Sequence, residues 1–103
     1  MRANIGFSIF WSGNHGGCNV SGTLELEPMP VAGDRVALLA AGEALPHVGF
    51  GGQLRVEQRI VHAGRPGQPG TIDLLLEPVV VDTEVQAQML RHYFERAFGL
   101  VAD

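Results

Sequence analysis

Residues 83–99 read TEVQAQMLRHYFERAFG, and the spacing of their apolar side chains decides what the rest of the chain must supply. Thr83 followed three residues later by Gln86 fits a capping box, in which each side chain satisfies a backbone N–H of the first turn. Asp82 and Glu84 suit the positive end of a helix dipole. From Val85 onward the apolar period is 3.6 residues. Val85, Met89, Tyr93 and Ala97 form one row, and Leu90, Phe94 and Phe98 form its neighbour. Gln88, Arg91, His92 and Glu95 make the polar side. Gly99 fits the left-handed position just past a helix end, from which Leu100 can fold back on Phe94. The pattern predicts an amphipathic helix over residues 83–98, whose two apolar rows must be buried against another layer.

Upstream of the helix the period is two, the signature of strands. Residues 4–11 place Ile5, Phe7, Ile9 and Trp11 on one side and Gly6, Ser8 and Phe10 on the other. Residues 18–27 alternate Cys18, Val20, Gly22, Leu24 and Leu26 against Asn19, Ser21, Thr23, Glu25 and Glu27, a core face and a water face. Pro28 and Pro30 end that segment, because proline has no N–H for a ladder. Residues 35–41 read as a short buried strand. Residues 53–62 set Leu54, Val56, Gln58, Ile60 and His62 on one parity. Residues 71–81 set Ile72, Leu74, Leu76 and Pro78 opposite Asp73, Leu75 and Glu77. Glycine and proline mark the connections: a hairpin loop at 12–17, a loop at 45–52 that carries Val48 and Phe50 toward the core, and a loop at 63–70.

These elements predict a single α+β domain over residues 1–103. It has about five mostly antiparallel strands, forming a strongly bent sheet or a small barrel, with one C-terminal amphipathic helix packed on it. Arg55 and Arg59 are placed to pair across strands with Glu25, Glu27, Asp73 or Glu77 on the wet side.

Composition narrows the functional classes. The 103 residues are 46% hydrophobic and 17% charged, where an average domain is roughly a quarter charged, so the chain has the apolar content to fold. The net charge is -4, and all seven basic residues are arginine. An acidic domain is a poor match for a phosphate backbone, so no nucleic-acid partner is expected. Lysine-free usage rich in Arg, Ala and Gly points to a GC-rich, bacterial-like genome. One cysteine excludes an intrachain disulfide framework. No stretch approaches the roughly 18 apolar residues of a membrane span, and residues 5–11 lack a signal-peptide pattern, so no membrane partner and a cytoplasmic location are expected.

The alternation also leaves an excess. Phe10, Ala37, Leu39, Leu75, Val79 and Val81 fall on the parity assigned to water. Either the sheet curls into a barrel, or a second copy of the chain covers them. A homodimer built on the helix or on an edge strand is the expectation.

Residues able to carry chemistry are few. His15 lies three residues before Cys18 across a Gly-Gly step, an arrangement in which a base could activate a thiol, although no third orienting residue is visible. His15, His47 and His62 all sit in or beside loops, but no two histidines have the i, i+3 or i, i+4 spacing of a metal motif, so no metal is expected. The glycines at 49–52 lack phosphate-loop spacing and there is no lysine, so no cofactor is expected. Glu43, Glu57, Asp73 and Glu77 offer carboxylates in no specific pattern. Gln58 is the polar oddity, placed mid-strand among apolar residues. With His62, Trp11 and Phe50 it could line a pocket for a small apolar ligand between sheet and helix.

Three functions are therefore weighed. The first is a small non-enzymatic interaction or assembly module acting as a homo-oligomer. The second is a small-molecule binding domain. The third is an enzyme using Cys18 and His15.

Overall fold

A computed structural model describes residues 1–11, 16–39 and 50–103. The chain runs β1 (Arg2–Trp11), β2 (Gly16–Glu25), β3 (Arg35–Ala37), β4 (Gln53–His62), β5 (Thr71–Leu76), β6 (Val79–Val81), α1 (Glu84–Phe98) and β7 (Val101–Ala102). The strands form one sheet in the order β3-β4-β5-β1-β2-β7, with β6 continuing along β1 beyond β5. The sheet is mixed: β1 runs parallel to β5 and β6, and the other pairs are antiparallel.

The architecture is α+β, as the sequence predicts, but the strand count and closure differ. The described residues form seven strands, not five, in a sheet that is open and not closed into a barrel. The extra strands have local causes. Pro78 cannot donate to a ladder and divides the 71–81 segment into β5 and β6. After the helix, Val101 and Ala102 pair with Ser21 and Val20 to form a short seventh strand. The two ends of the sheet are β3, three residues long, and β7, two residues long. Of the third predicted strand, residues 40 and 41 lie outside the described residues.

The β1–β2 hairpin is regular for its whole length, from Arg2 opposite Glu25 to Trp11 opposite Gly16. Its inner side carries Ala3, Ile5, Phe7, Ile9 and Val20, all buried. Elsewhere the period of two is broken twice. On β4, Val56 pairs with Leu76 but Gln58 pairs with Leu75, so Glu57 is an extra residue. On the β5–β6 side, Leu75 pairs with Gly6 but Val79 pairs with Ile9, one residue more than β1 spends over the same span. Each bulge turns the following side chains to the opposite face. Val79 and Val81 are therefore buried and Val80 is exposed, reversing the predicted parity.

The helix forms with both halves of the capping box. Thr83 accepts from the Gln86 N–H at 3.2 Å, and Gln86 Oε1 accepts from the Thr83 N–H at 3.3 Å. At the other end Gly99 takes φ +68°, and its N–H donates to the Glu95 carbonyl at 3.0 Å. Leu100 is thereby turned into the core, where it is buried. The buried stripe is Ala87, Leu90, Tyr93 and Phe94, while Val85 and Met89, expected on the apolar arc, are exposed. Phe94 is the centre of the packing: Phe7, Phe50 and Tyr93 meet its ring edge-on at centroid distances of 5.1, 5.4 and 5.5 Å.

Candidate functional site

The helix covers one side of the sheet, and no described segment covers the other. On that second side β1 contributes Asn4, Gly6, Ser8 and Phe10, and β2 contributes Gly17, Asn19, Ser21 and Thr23. The cross-strand register aligns Leu75 with Gly6 and Val80 with Phe10. Phe10, Leu75 and Val80 remain 45%, 42% and 61% exposed, high values for large apolar side chains on a central part of a sheet. Between Phe10 and Leu75 the surface drops into a trough of about 380 Å³, floored by Gly6, Ser8, Asn19 and Ser21. Small residues produce the trough, because glycine and serine leave the sheet surface near backbone level. Ser8 Oγ donates to Asn19 Oδ1 at 2.8 Å across the floor.

Past Leu75 lies a polar cluster that spans three strands. Asn4 Nδ2 donates to Asp73 Oδ1 at 2.8 Å, and His62 Nε2–H donates to Asp73 Oδ2 at 2.8 Å. These hydrogen bonds, Asn4 first and His62 second, hold the Asp73 carboxyl below the usual carboxylate range. The bulge at Glu57 makes the contact possible, since it moves His62 onto the face that Asp73 occupies. Arg2 and Glu25 face each other at 3.9 Å in the adjoining row.

Of the residues singled out in the sequence, the described ones lie on both faces of the sheet. Gln58 is exposed on the helix-free face, not buried among Leu54 and Val56, because the bulge at Glu57 precedes it. His62 shares that face. Phe50 is buried on the opposite side against Phe94. Trp11 packs at the margin of the core, with its ring over Gly16, where a β-carbon would run into the indole. Between sheet and helix, the Phe7, Phe50 and Tyr93 rings pack edge-on against Phe94.

Cys18 is partly buried at the edge of the core. Burial pushes its thiol up; Arg91 nearby pulls the other way, and Asp103 adds to the rise. A thiol in that setting stays protonated at neutral pH and is a weak nucleophile. His15, His47, Glu43 and Val48 lie outside the described residues. Among the described residues no three His, Cys, Asp or Glu side chains are grouped as a metal site would require, and no helix is long and apolar enough to cross a membrane.

The alternation marks Phe10 and Leu75 as apolar residues on a wet parity, but gives no sign of Gly6, Ser21 and the Asp73 cluster as their neighbours. Only strand order and register bring these together. Comparison with protein-family models, with curated proteins and with solved structures finds no match to this chain.

Proposed function

We propose that the chain is a small non-enzymatic interaction or assembly module that acts as a homo-oligomer. The observation that supports this most is the run of Phe10, Leu75 and Val80, left exposed on the sheet face opposite the helix. Phe10 and Leu75 line one trough and Val80 lies opposite Phe10 in register; such residues gain from being covered, and the hydrophobic effect returns roughly 25 cal/mol for each Å² removed from water. The surface differs from the helix and edge-strand surfaces that the sequence predicts, because α1 spends its central apolar stripe on the sheet. Light scattering at tens of micromolar tests the proposal: a dimer gives about twice the 11.0 kDa of one chain, and a particle of one chain's mass refutes it.

A second reading has its own support. The trough volume of about 380 Å³ falls within the range of small-ligand sites, and its floor sets the Ser8–Asn19 hydrogen-bonded pair among apolar walls. Under this reading a saturable rise in melting temperature with an apolar or amphipathic compound is the expected result. Loss of that rise in Phe10→Ser would place the compound in the trough.

A further inference from the structure

We propose that the trough is filled by Leu75 of a second copy, so that two chains pack their helix-free sheet faces together about a two-fold axis. This rests on the homo-oligomer reading above and assigns it a specific contact.

Leu75 stands as a ridge between two hollows. One, of about 380 Å³, opens toward Phe10; the other, of about 260 Å³, opens toward Asn4 and Asp73. Gly6 lines both. A β-carbon built on Gly6 would sit in ordinary van der Waals contact with Leu75 Cδ2 at 3.6 Å, so the strand there lies low beside the leucine and accepts a small side chain without a clash. The patch thus carries an apolar knob and a hole side by side. Such a patch is self-complementary, as a two-fold contact requires: the knob of each copy enters the hole of the other.

The extent of the face suits the same occupant. Four strands abreast at about 4.8 Å spacing, each roughly 30 Å long, present a surface on the order of 600 Å² before its relief is counted. A standard interface takes about 800 Å² from each partner. The distribution of polarity also fits, with Phe10, Leu75 and Val80 grouped and the charged residues set apart. At the Asn4 end of the face Arg2 lies beside Glu25, and the Asp73 carboxylate is held by hydrogen bonds from Asn4 and His62. Glu57 sits at the trough's rim, where a carboxylate keeps its water. Two stacked sheets are a common way to bury such faces.

Sedimentation equilibrium on four proteins tests the contact: the wild type, Gly6→Val, Leu75→Ser and Met89→Glu. Gly6→Val fills the hole with a residue that suits a strand, and Leu75→Ser removes the knob. Met89→Glu places a charge on the exposed side of α1. The dimer dissociation constant is expected to rise on the order of tenfold or more in the first two variants and to stay unchanged in the third. Melting temperatures of the variants at a dilution where all are monomeric show that each remains folded. A wild-type dimer indifferent to Gly6→Val and Leu75→Ser overturns this contact while the homo-oligomer reading stands, and loss of the dimer in Met89→Glu alone moves the interface to the helix. A wild type that is monomeric throughout overturns both.

Discussion

The Tyr93 hydroxyl donates a 2.8 Å hydrogen bond to the Leu38 carbonyl inside the core, 55 residues away in sequence. It ties α1 to the chain just after β3, at the far edge of the sheet from β7. In Tyr93→Phe the ring packing is kept and the Leu38 carbonyl loses this donor. We predict a loss of about 1–2 kcal/mol, the usual cost of a buried group left unsatisfied. For a domain of this size each kcal/mol lowers the melting temperature by roughly 4–8 °C. Thermal unfolding followed by circular dichroism reads it directly, and an unchanged melting temperature counts against the contact.

Gly22 of β2 allows Leu100 to lie against the sheet: a β-carbon at position 22 would stand 2.7 Å from Leu100 Cδ2. Leu100 arrives there because Gly99 turns the chain at the helix end. Gly22→Ala must push the leucine aside, and we predict a cost of about 1–3 kcal/mol, as overpacking in a filled core usually brings. Gly6→Ala, on the opposite face of the neighbouring strand, makes only an ordinary 3.6 Å contact with Leu75 and serves as the matched comparison. Urea unfolding of the two variants gives the contrast. Equal effects at both positions contradict the packing described.

Asp73 sets a pH dependence with a definite sign. Its carboxyl is held below the ordinary value in the folded chain, by Asn4 and then by His62. The stability this confers is present above the unfolded carboxyl value of about 3.9 and is lost as pH falls through the folded value. We predict that the wild type loses more stability between about pH 6 and about pH 3 than Asp73→Asn does. The difference is small, because Asp73 is only partly buried and remains open to solvent screening. A variant that matches the wild type over that interval removes the Asn4–Asp73–His62 cluster from the account.

Cys18 titrates with the opposite sign. Its thiol is raised by burial, so the contribution to stability is intact below the ordinary thiol value of about 8.5 and declines as pH rises through the folded value. We predict that iodoacetamide alkylates Cys18 in the native chain more slowly than it does a free cysteine at about pH 8, and at the full rate in denaturant. Fast native alkylation would restore the case for an activated thiol.

Local signals make the helix legible in the sequence. The Thr83–Gln86 box and the Gly99 stop act within one turn of the chain and do not depend on what packs against them. The β1–β2 alternation is legible for a similar reason, since that ladder runs without interruption. Beyond it the period of two misleads. One extra residue at Glu57 turns Gln58 out to water and brings His62 beside Asp73, and another near Pro78 buries Val79 and Val81 and exposes Val80. A bulge leaves almost no mark in composition, so parity counted through it inverts. Half of the candidate site is visible in the sequence as Phe10 and Leu75 on a wet parity. The rest depends on which strands are neighbours: Leu75 lies beside Gly6 because β5 runs parallel to β1, a pairing between residues about seventy positions apart that no local pattern encodes.

Hydroxyl-radical footprinting across a concentration series tests the central claim, that one face of the sheet is sealed by α1 and the other by a second copy. Tyr93 and Phe94 are predicted to stay protected at every concentration, and Met89 to stay reactive. Phe10 and Leu75 are predicted to be reactive in dilute solution and protected at tens of micromolar. Reactivity at Phe10 and Leu75 that does not change with concentration would contradict the account.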